Sequence, residues 1–429
     1  MRGLFPSAVT AAVALALGST VVMAQETTSS IRGNVTTPEG ITVEGASVTI
    51  VHMPSGTTST ALTGSSGAFS ASGLRPGGPY KVTVVADEIG SSTIDGIYLG
   101  VGEPIDLPLT VGIVELDEIT VSSGRQVAMV TGPTTTIDRK GIEGVASVQR
   151  DIRDIVRRDP YASFNPSSRG VSIAGTNNRT NRFAVDGLRF SDNFGLQQGG
   201  LPTSRGPVPL DAVEQMSVKI APFDISEGDF QGGSINLVLR SGDNDFTGSA
   251  FYTYASDGLT GDKTRGQDVS LDFTSKNWGM YFAGPLIKNR LFFALSYEEL
   301  DEGNPASVGL AGAPSVVPNL SEVQVGEVAG TAESVYGYGA AGLGLRTTLP
   351  ETDRKITGKV DWNITEQQRL SYTGIFQKGY MQSSSTGSSS AAAPALYFNG
   401  YGTNEPEHVN SHALQLNSRW TNNFSTEAR

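Results

Sequence analysis

The sequence predicts a mainly β protein in three parts: a small β-sandwich, an α+β domain, and part of an antiparallel transmembrane β-barrel. Two observations carry the barrel. After Asp245 the chain runs as amphipathic strands of about ten residues, the length that crosses a bilayer at a tilt. Short turns alternate with long loops between those strands, the layout of an outer-membrane barrel. A third observation carries the sandwich: four alternating segments before residue 112, with Gly- and Pro-rich turns between them.

The barrel strands are expected at 245–256, 270–284, 290–300, 353–364, 367–378 and 407–420, with another beginning near Phe424. In the fourth, Ile356, Gly358, Val360, Trp362 and Ile364 are apolar or small, while Thr357, Lys359, Asp361 and Asn363 are polar. A period of two places these sets on opposite faces. The connections at Ile287–Arg290, Thr365–Glu366 and Thr421–Asn423 are tight; those at 301–352 and 379–406 are long. Short turns face the periplasm and long loops the exterior. Tyr252, Tyr254, Trp278, Tyr281, Phe282, Tyr297, Trp362 and Trp420 recur near strand ends and are assigned to the membrane interfaces.

The amino terminus has the form of a signal peptide: Arg2, an apolar run Ala8–Leu17, and cleavage between Ala24 and Gln25 after Val22-Met23-Ala24. No apolar run elsewhere reaches the length of a helical span. With 38% hydrophobic residues and 52 glycines, apolar character is diluted along the chain. The absence of cysteine rules out disulfides, a lipidated cysteine and a thiol nucleophile. A net charge of −12 argues against nucleic acid as a partner.

The sandwich spans 25–112. Its alternating segments are Ile31–Val35, Ala46–Ile50, Tyr80–Val84 and Ile105–Leu109, with turns at Pro38-Glu39-Gly40, Pro54-Ser55-Gly56, Ser66-Gly67 and Pro76-Gly77-Gly78. The order Gly33, Gly45-Ala46-Ser47-Val48, Gly67-Ala68-Phe69, Gly73-Leu74-Arg75-Pro76-Gly77, Tyr80-Lys81-Val82-Thr83-Val84 resembles the carboxypeptidase regulatory-like domain. That resemblance implies a prealbumin-like sandwich, grouped with carbohydrate-binding-like folds, and no catalytic residues.

A linker follows at 113–124. Within it Asp117-Glu118-Ile119-Thr120-Val121 resembles a TonB box, the energy-coupling peptide of TonB-dependent receptors. β-Branched Ile119, Thr120 and Val121 favour an extended segment able to add to a partner's sheet edge. Residues 125–242 resemble the plug domain of those receptors. Val148, Ile152, Ile155 and Val156 share a helical face ended by Pro160. The run Arg169–Gly187 pairs a Gly-flanked strand with an Asn/Arg-rich turn and a strand ending Asp186-Gly187; Leu210–Val218 and Gln231–Leu237 continue the pattern.

Val238–Ala250 followed by Ala283-Gly284-Pro285-Leu286-Ile287-Lys288-Asn289-Arg290-Leu291-Phe292-Phe293 resembles the start of the barrel, 243–429, in Oar-like TonB-dependent receptors. Such barrels have about twenty-two strands around a plugged lumen. This chain supplies about six or seven and no aromatic-ended closing strand, so it is expected to be a fragment.

Other signals carry less. Gly337-Tyr338-Gly339-Ala340-Ala341-Gly342 matches a dinucleotide fingerprint but lies in a long loop. His408 and His412 share a strand face without the glutamate of a zincin and read as tuning residues, not metal ligands. No catalytic residue, metal or cofactor is assigned. The resemblance implies a non-enzymatic outer-membrane receptor of a Gram-negative bacterium that takes up a ligand using energy passed from TonB. Its implied partners are the periplasmic TonB C-terminal domain, outer-membrane lipid and an extracellular peptide, oligosaccharide or metal chelate. Ligand contacts are expected in 301–352 and 379–406, where Tyr380, Tyr397, Phe398 and Tyr401 offer stacking faces. The alternative is an adhesin or secretion-associated binding protein that uses the sandwich, with carbohydrate as one ligand.

Overall fold

Alternation of buried and exposed positions runs through strands of both the sandwich and the wall, but its sense reverses between them. The computed structural model describes residues 27–112, 134–220 and 231–429, apart from residues 88, 148, 166–168, 193–199, 265, 270, 384–385 and 422–423. The signal peptide with its Ala24–Gln25 cleavage, the box at 117–121 and Val148 lie outside the described residues.

The sandwich comprises β1 (Ser29–Thr36), β2 (Ser47–His52), β3 (Thr57–Leu62), β4 (Ala68–Leu74), β5 (Gly77–Ala86), β6 (Gly90–Leu99), β7 (Ile105–Asp106) and β8 (Leu109–Thr110). One sheet runs β4-β1-β7, with β8 also on β1; the other runs β3-β2-β5-β6. Alternate residues point inward, so Ile31, Val35, Val48, Ile50, Val82 and Val84 are buried together. Each contributes about 1.5–3 kcal/mol by leaving water. The turn at Gly67 needs glycine: φ is 71°, and a Cβ would stand 2.6 Å from the Val35 carbonyl oxygen. The four segments read from sequence are all present, the fourth split between β7 and β8, and are joined by β3, β4 and β6, whose Thr, Ser and Gly content masks their alternation.

The second unit holds β9 (Thr134–Ile137), α1 (Arg139–Glu143), α2 (Ile152–Val156), β10 (Ala162–Asn165), β11 (Gly170–Ile173), β12 (Arg182–Val185), β13 (Leu188–Arg189), β14 (Val213–Ile220) and β15 (Gly233–Leu239). Its main sheet runs β13-β12-β15-β14-β9. Every residue of β15 is buried, as a central strand covered on both faces requires. Ile152, Ile155 and Val156 of α2 lie in the same core, on the face expected. The helix stops at Val156, short of Pro160, because Arg158 and Asp159 donate to Ile155 and Val156 and tighten the last turn.

The wall is one antiparallel sheet of seven strands paired in chain order: β16 (Thr247–Ser256), β17 (Thr274–Ile287), β18 (Leu291–Pro305), β19 (Thr348–Thr365), β20 (Gln368–Ser383), β21 (Thr403–Thr421) and β22 (Phe424–Ala428). Here the polar face is the buried one. On β19, Glu351, Asp353, Lys355, Thr357, Asp361 and Asn363 point inward and are covered, while Ile356, Val360 and Trp362 point outward and are exposed. A soluble sheet would have the opposite arrangement; an outward apolar band suits lipid.

Register sharpens that band. Leu291, Trp362, Leu370 and Leu416 form a lateral row at the short-turn end. Tyr297, Ile356 and Phe376 form a row further up, and one step beyond it come Glu299, Arg354, Lys378 and His408. The apolar face therefore ends at a charged rim where Arg354 pairs with Glu299 at 2.6 Å. His408 and His412 do share a face, the outward one; His412 Nδ1 lies 2.7 Å from the Tyr372 hydroxyl. Tyr281 is a correction. It points inward, 3% exposed, beneath the Arg240 guanidinium at 3.8 Å, and takes no interfacial place.

The strands extend past the expected limits, leaving loops at 306–347 and 384–402. Backbone pairing continues above the apolar band, where side chains no longer alternate in hydropathy. The first loop contains α3 (Glu322–Tyr336), started by a reciprocal cap between Ser321 and Gln324. Gly337, at φ 71°, ends it. The Gly337–Gly342 run thus follows a helix carboxyl end, which presents carbonyls and cannot cradle phosphate.

Candidate functional site

The second unit sits against the inward face of the wall, and charged groups hold it there. Glu351 of β19 is 1% exposed. Its carboxylate accepts from Arg169 Nη1 and Nη2 at 2.8 and 2.7 Å, from Arg205 Nε at 3.1 Å and from Asn304 Nδ2 at 3.1 Å. Arg205 also donates to Glu302 of β18 at 3.0 Å and to the Gln149 carbonyl at 2.9 Å. Two arginines from one unit therefore close on two glutamates from the other. Fork-like guanidinium geometry makes such pairs directional as well as strong.

Behind them stands Asp151, the amino-terminal cap of α2, which accepts from the Arg153 backbone N–H and side chain. Arg153 passes on to the carbonyls of Arg169 and Ser204, each at 2.7 Å. Ser204 in turn donates its N–H at 2.8 Å and its hydroxyl at 3.1 Å to Glu407 of β21. Burial alone would raise the Asp151 carboxyl, but the adjoining Arg153 guanidinium overrides it and holds it well below the ordinary carboxylate range. Burial likewise works against the charge on Arg205; Glu351 and Asp151 outweigh it and hold the guanidinium protonated.

A separate contact lies nearer the short turns. Asp186, in the Asp-Gly turn after β12, accepts from Leu239 N–H at 2.9 Å, pairs with Lys359 Nζ at 3.0 Å and accepts from the Thr373 hydroxyl at 3.1 Å. Among the described wall residues, Ile375 and Val409 join the hydrophobic core of the inserted unit. The connection to the wall is tight at Gly242, where a Cβ would meet the Phe293 carbonyl oxygen at 2.4 Å.

The expected ligand aromatics separate in the structure. Tyr380 is a correction: it belongs to β20, not to a loop, and its hydroxyl donates to Asn404 at 2.9 Å. Tyr397 and Tyr401 lie in the 384–402 loop with ring centroids 4.4 Å apart. Phe398 bridges to Leu345 of the other loop and lines an apolar pocket with Val325 and Val328 of α3. Sequence reasoning did not single out Glu351, Glu302, Glu407 or Arg205. The available signal was the spacing Glu351, Asp353, Lys355, which continues the inward parity of β19; starting that strand at 353 assigned Glu351 to a loop. Among the described residues no group of His, Asp and Glu is placed to hold a metal ion.

An open sheet of seven strands, polar inside and apolar outside, with a domain held against its inner face through ion pairs, has the fold of part of a plugged outer-membrane β-barrel. Residues 30–112 match the carboxypeptidase regulatory-like domain family. The chain is similar to the TonB-dependent transporter Oar of Myxococcus xanthus, 24% identical over 235 residues, covering 51% of this chain and 22% of that protein. It thus spans about a fifth of the curated relative's length. Among solved structures it is similar to the siderophore receptor PirA of Acinetobacter baumannii (20% identity, TM-score 0.46, 67% of this chain and 38% of that one). It is also similar to the ferric enterobactin receptor PfeA of Pseudomonas aeruginosa (16%, TM-score 0.46, 68% and 39%).

Proposed function

We propose that this chain forms the control end of an outer-membrane receptor that imports a ligand through a plugged barrel with energy transmitted by TonB. The observation that carries this reading is the plug–wall interface, where Arg169 and Arg205 meet Glu351 and Glu302. Hydrogen-bonded charges fix a plug in one register and can be exchanged for water when it moves, and the apolar core that plug and wall share is limited to Ile375 and Val409 among the described wall residues. Ligand arrives at the loops on the long-loop side, with Tyr397, Phe398 and Tyr401 as contacts and a peptide, oligosaccharide or metal chelate as cargo. The box at Asp117–Val121 is then engaged in the periplasm by the TonB C-terminal domain, which adds it to a sheet edge. The protein crosses the lipid of a Gram-negative outer membrane and performs no covalent chemistry.

The test is capture of the TonB C-terminal domain by a peptide spanning 113–124. Replacing Ile119 with Pro removes a backbone donor and should abolish capture. Equal capture by both peptides would sink the box assignment. The similarity to a transporter supports this reading over an adhesin built on the sandwich.

A further inference from the structure

The sandwich is docked against the inward face of the wall at its short-turn end, and it touches plug, connection and wall at once. Val101 N–H donates to Gln215 of the plug at 2.7 Å, and Thr136 of the plug donates to Glu103 at 2.6 Å. Asn244, in the connection, donates its N–H to the Pro54 carbonyl at 3.0 Å. On the wall, Asn363 donates to Thr57 at 3.0 Å, and Thr27 and Gln415 are hydrogen-bonded at 3.1 Å. These wall residues lie at the short-turn end, and Asn363 is on the inward face.

One side chain reaches onto the inward face of the wall. Arg75, at the β4–β5 turn, is 7% exposed. It lies over the ring of fully buried Phe292 at 5.3 Å and donates to the Gly242 carbonyl at 3.3 Å. Its Nε and Nη2 have no hydrogen-bond partner among the described residues and face a polar cavity of about 90 Å³ shared with Asp361, Arg369, Ser371 and Asp243. Such a space is large enough for several waters.

Among the described residues the hydrophobic cores of sandwich and plug do not merge. One cluster contains sandwich residues only; the other contains plug residues with Ile375 and Val409 of the wall. The contacts named across the sandwich boundary are hydrogen bonds and the packing of Arg75 over Phe292. An interface of this kind can open without exposing a core, so separation of the units is the physical default.

We propose that the sandwich is a second stopper of the lumen, keyed into it by Arg75, and that it undocks before the plug can move. This rests on the uptake reading in one respect: the release is driven by tension on the segment between residues 112 and 134, which joins sandwich to plug. The docking itself does not depend on that reading.

The absence of cysteine makes a labelling test clean. Single variants Ser371→Cys, at the cavity, Ser217→Cys, in the plug core, and Ser334→Cys, on the exposed loop helix, are treated with a small water-soluble maleimide. In the purified full chain Ser371→Cys should react slowly. It should react about tenfold faster or more when combined with Arg75→Ala or with deletion of 27–112, while Ser334→Cys is unchanged. Equal Ser371→Cys rates with and without the sandwich overturn the stopper. In cells, Ser371→Cys should become reactive when TonB is present and energised. Exposure of Ser217→Cys without Ser371→Cys overturns the proposed order. No response at either cysteine overturns the uptake reading and the release step with it, while protection in the purified chain would still establish docking.

Discussion

Arg169 and Glu351 form a two-point ion pair, with guanidinium nitrogens 2.8 and 2.7 Å from the two carboxylate oxygens, and Arg205 closes on the same carboxylate at 3.1 Å. Replacing Glu351 with Gln leaves two cations facing a neutral amide in a buried site. Breaking one partner of such a pair costs about 3–5 kcal/mol. The expected outcome is a plug that exchanges its amide hydrogens faster in α2 and β11 while the sandwich keeps its protection. Unchanged exchange in the plug would show that Glu351 does not hold it.

Acid should loosen the sandwich through His52. Its imidazole packs on Tyr80 at 4.8 Å between centroids and hydrogen-bonds Ser55 at 2.7 Å. Burial first, then the positive charges of Arg75 and Arg369, lower its pKa from 6.5 to about 3. The folded state therefore refuses a proton that the unfolded state accepts. Stability is complete above pH about 6.5 and declines as pH falls toward 3, by about 2 kcal/mol at pH 5. Urea unfolding of the full chain at pH 7 and pH 5 measures this; His52→Phe should remove most of the difference.

The outward face sets a depth-dependent penalty. Leu295 stands within the apolar band and Arg354 on its charged rim. Leu295→Arg should destabilise insertion by about 2–4 kcal/mol, and Arg354→Gln by far less. Reversible unfolding from phospholipid vesicles distinguishes them. Equal penalties would contradict the assignment of this face to lipid.

Gly242→Ala places a methyl group against the Phe293 and Gly284 carbonyl oxygens, at 2.4 and 2.7 Å for an undisturbed backbone. Backbone cannot yield as a side-chain tip can, so a cost of about 1–3 kcal/mol is expected. The shift should be seen in thermal unfolding of the full chain and be absent for Gly326→Ala, which meets open space in α3.

Sequence alone determined the order of the parts and the class of the wall. Ile356, Val360 and Trp362 against Thr357, Asp361 and Asn363 define two faces whatever surrounds them, because a strand turns its side chains by a half-turn per residue. It also read 25–112 as a sandwich, within which a family model matches residues 30–112. It located the Asp186-Gly187 turn without assigning Asp186 its partners. Strand ends at 348, 383 and 403 were not legible, since pairing hydrogen bonds carry no hydropathy signal above the membrane. Only the tertiary structure decided that the polar face of β19 is the buried one. Only it decided that Glu351 meets Arg169 and Arg205, from positions 182 and 146 residues away, and that Tyr281 lies beneath Arg240. The reason is common to all three. Period two gives each side chain a face, but the charge or ring that meets it there arrives from a separately folded unit, and no local pattern encodes that meeting.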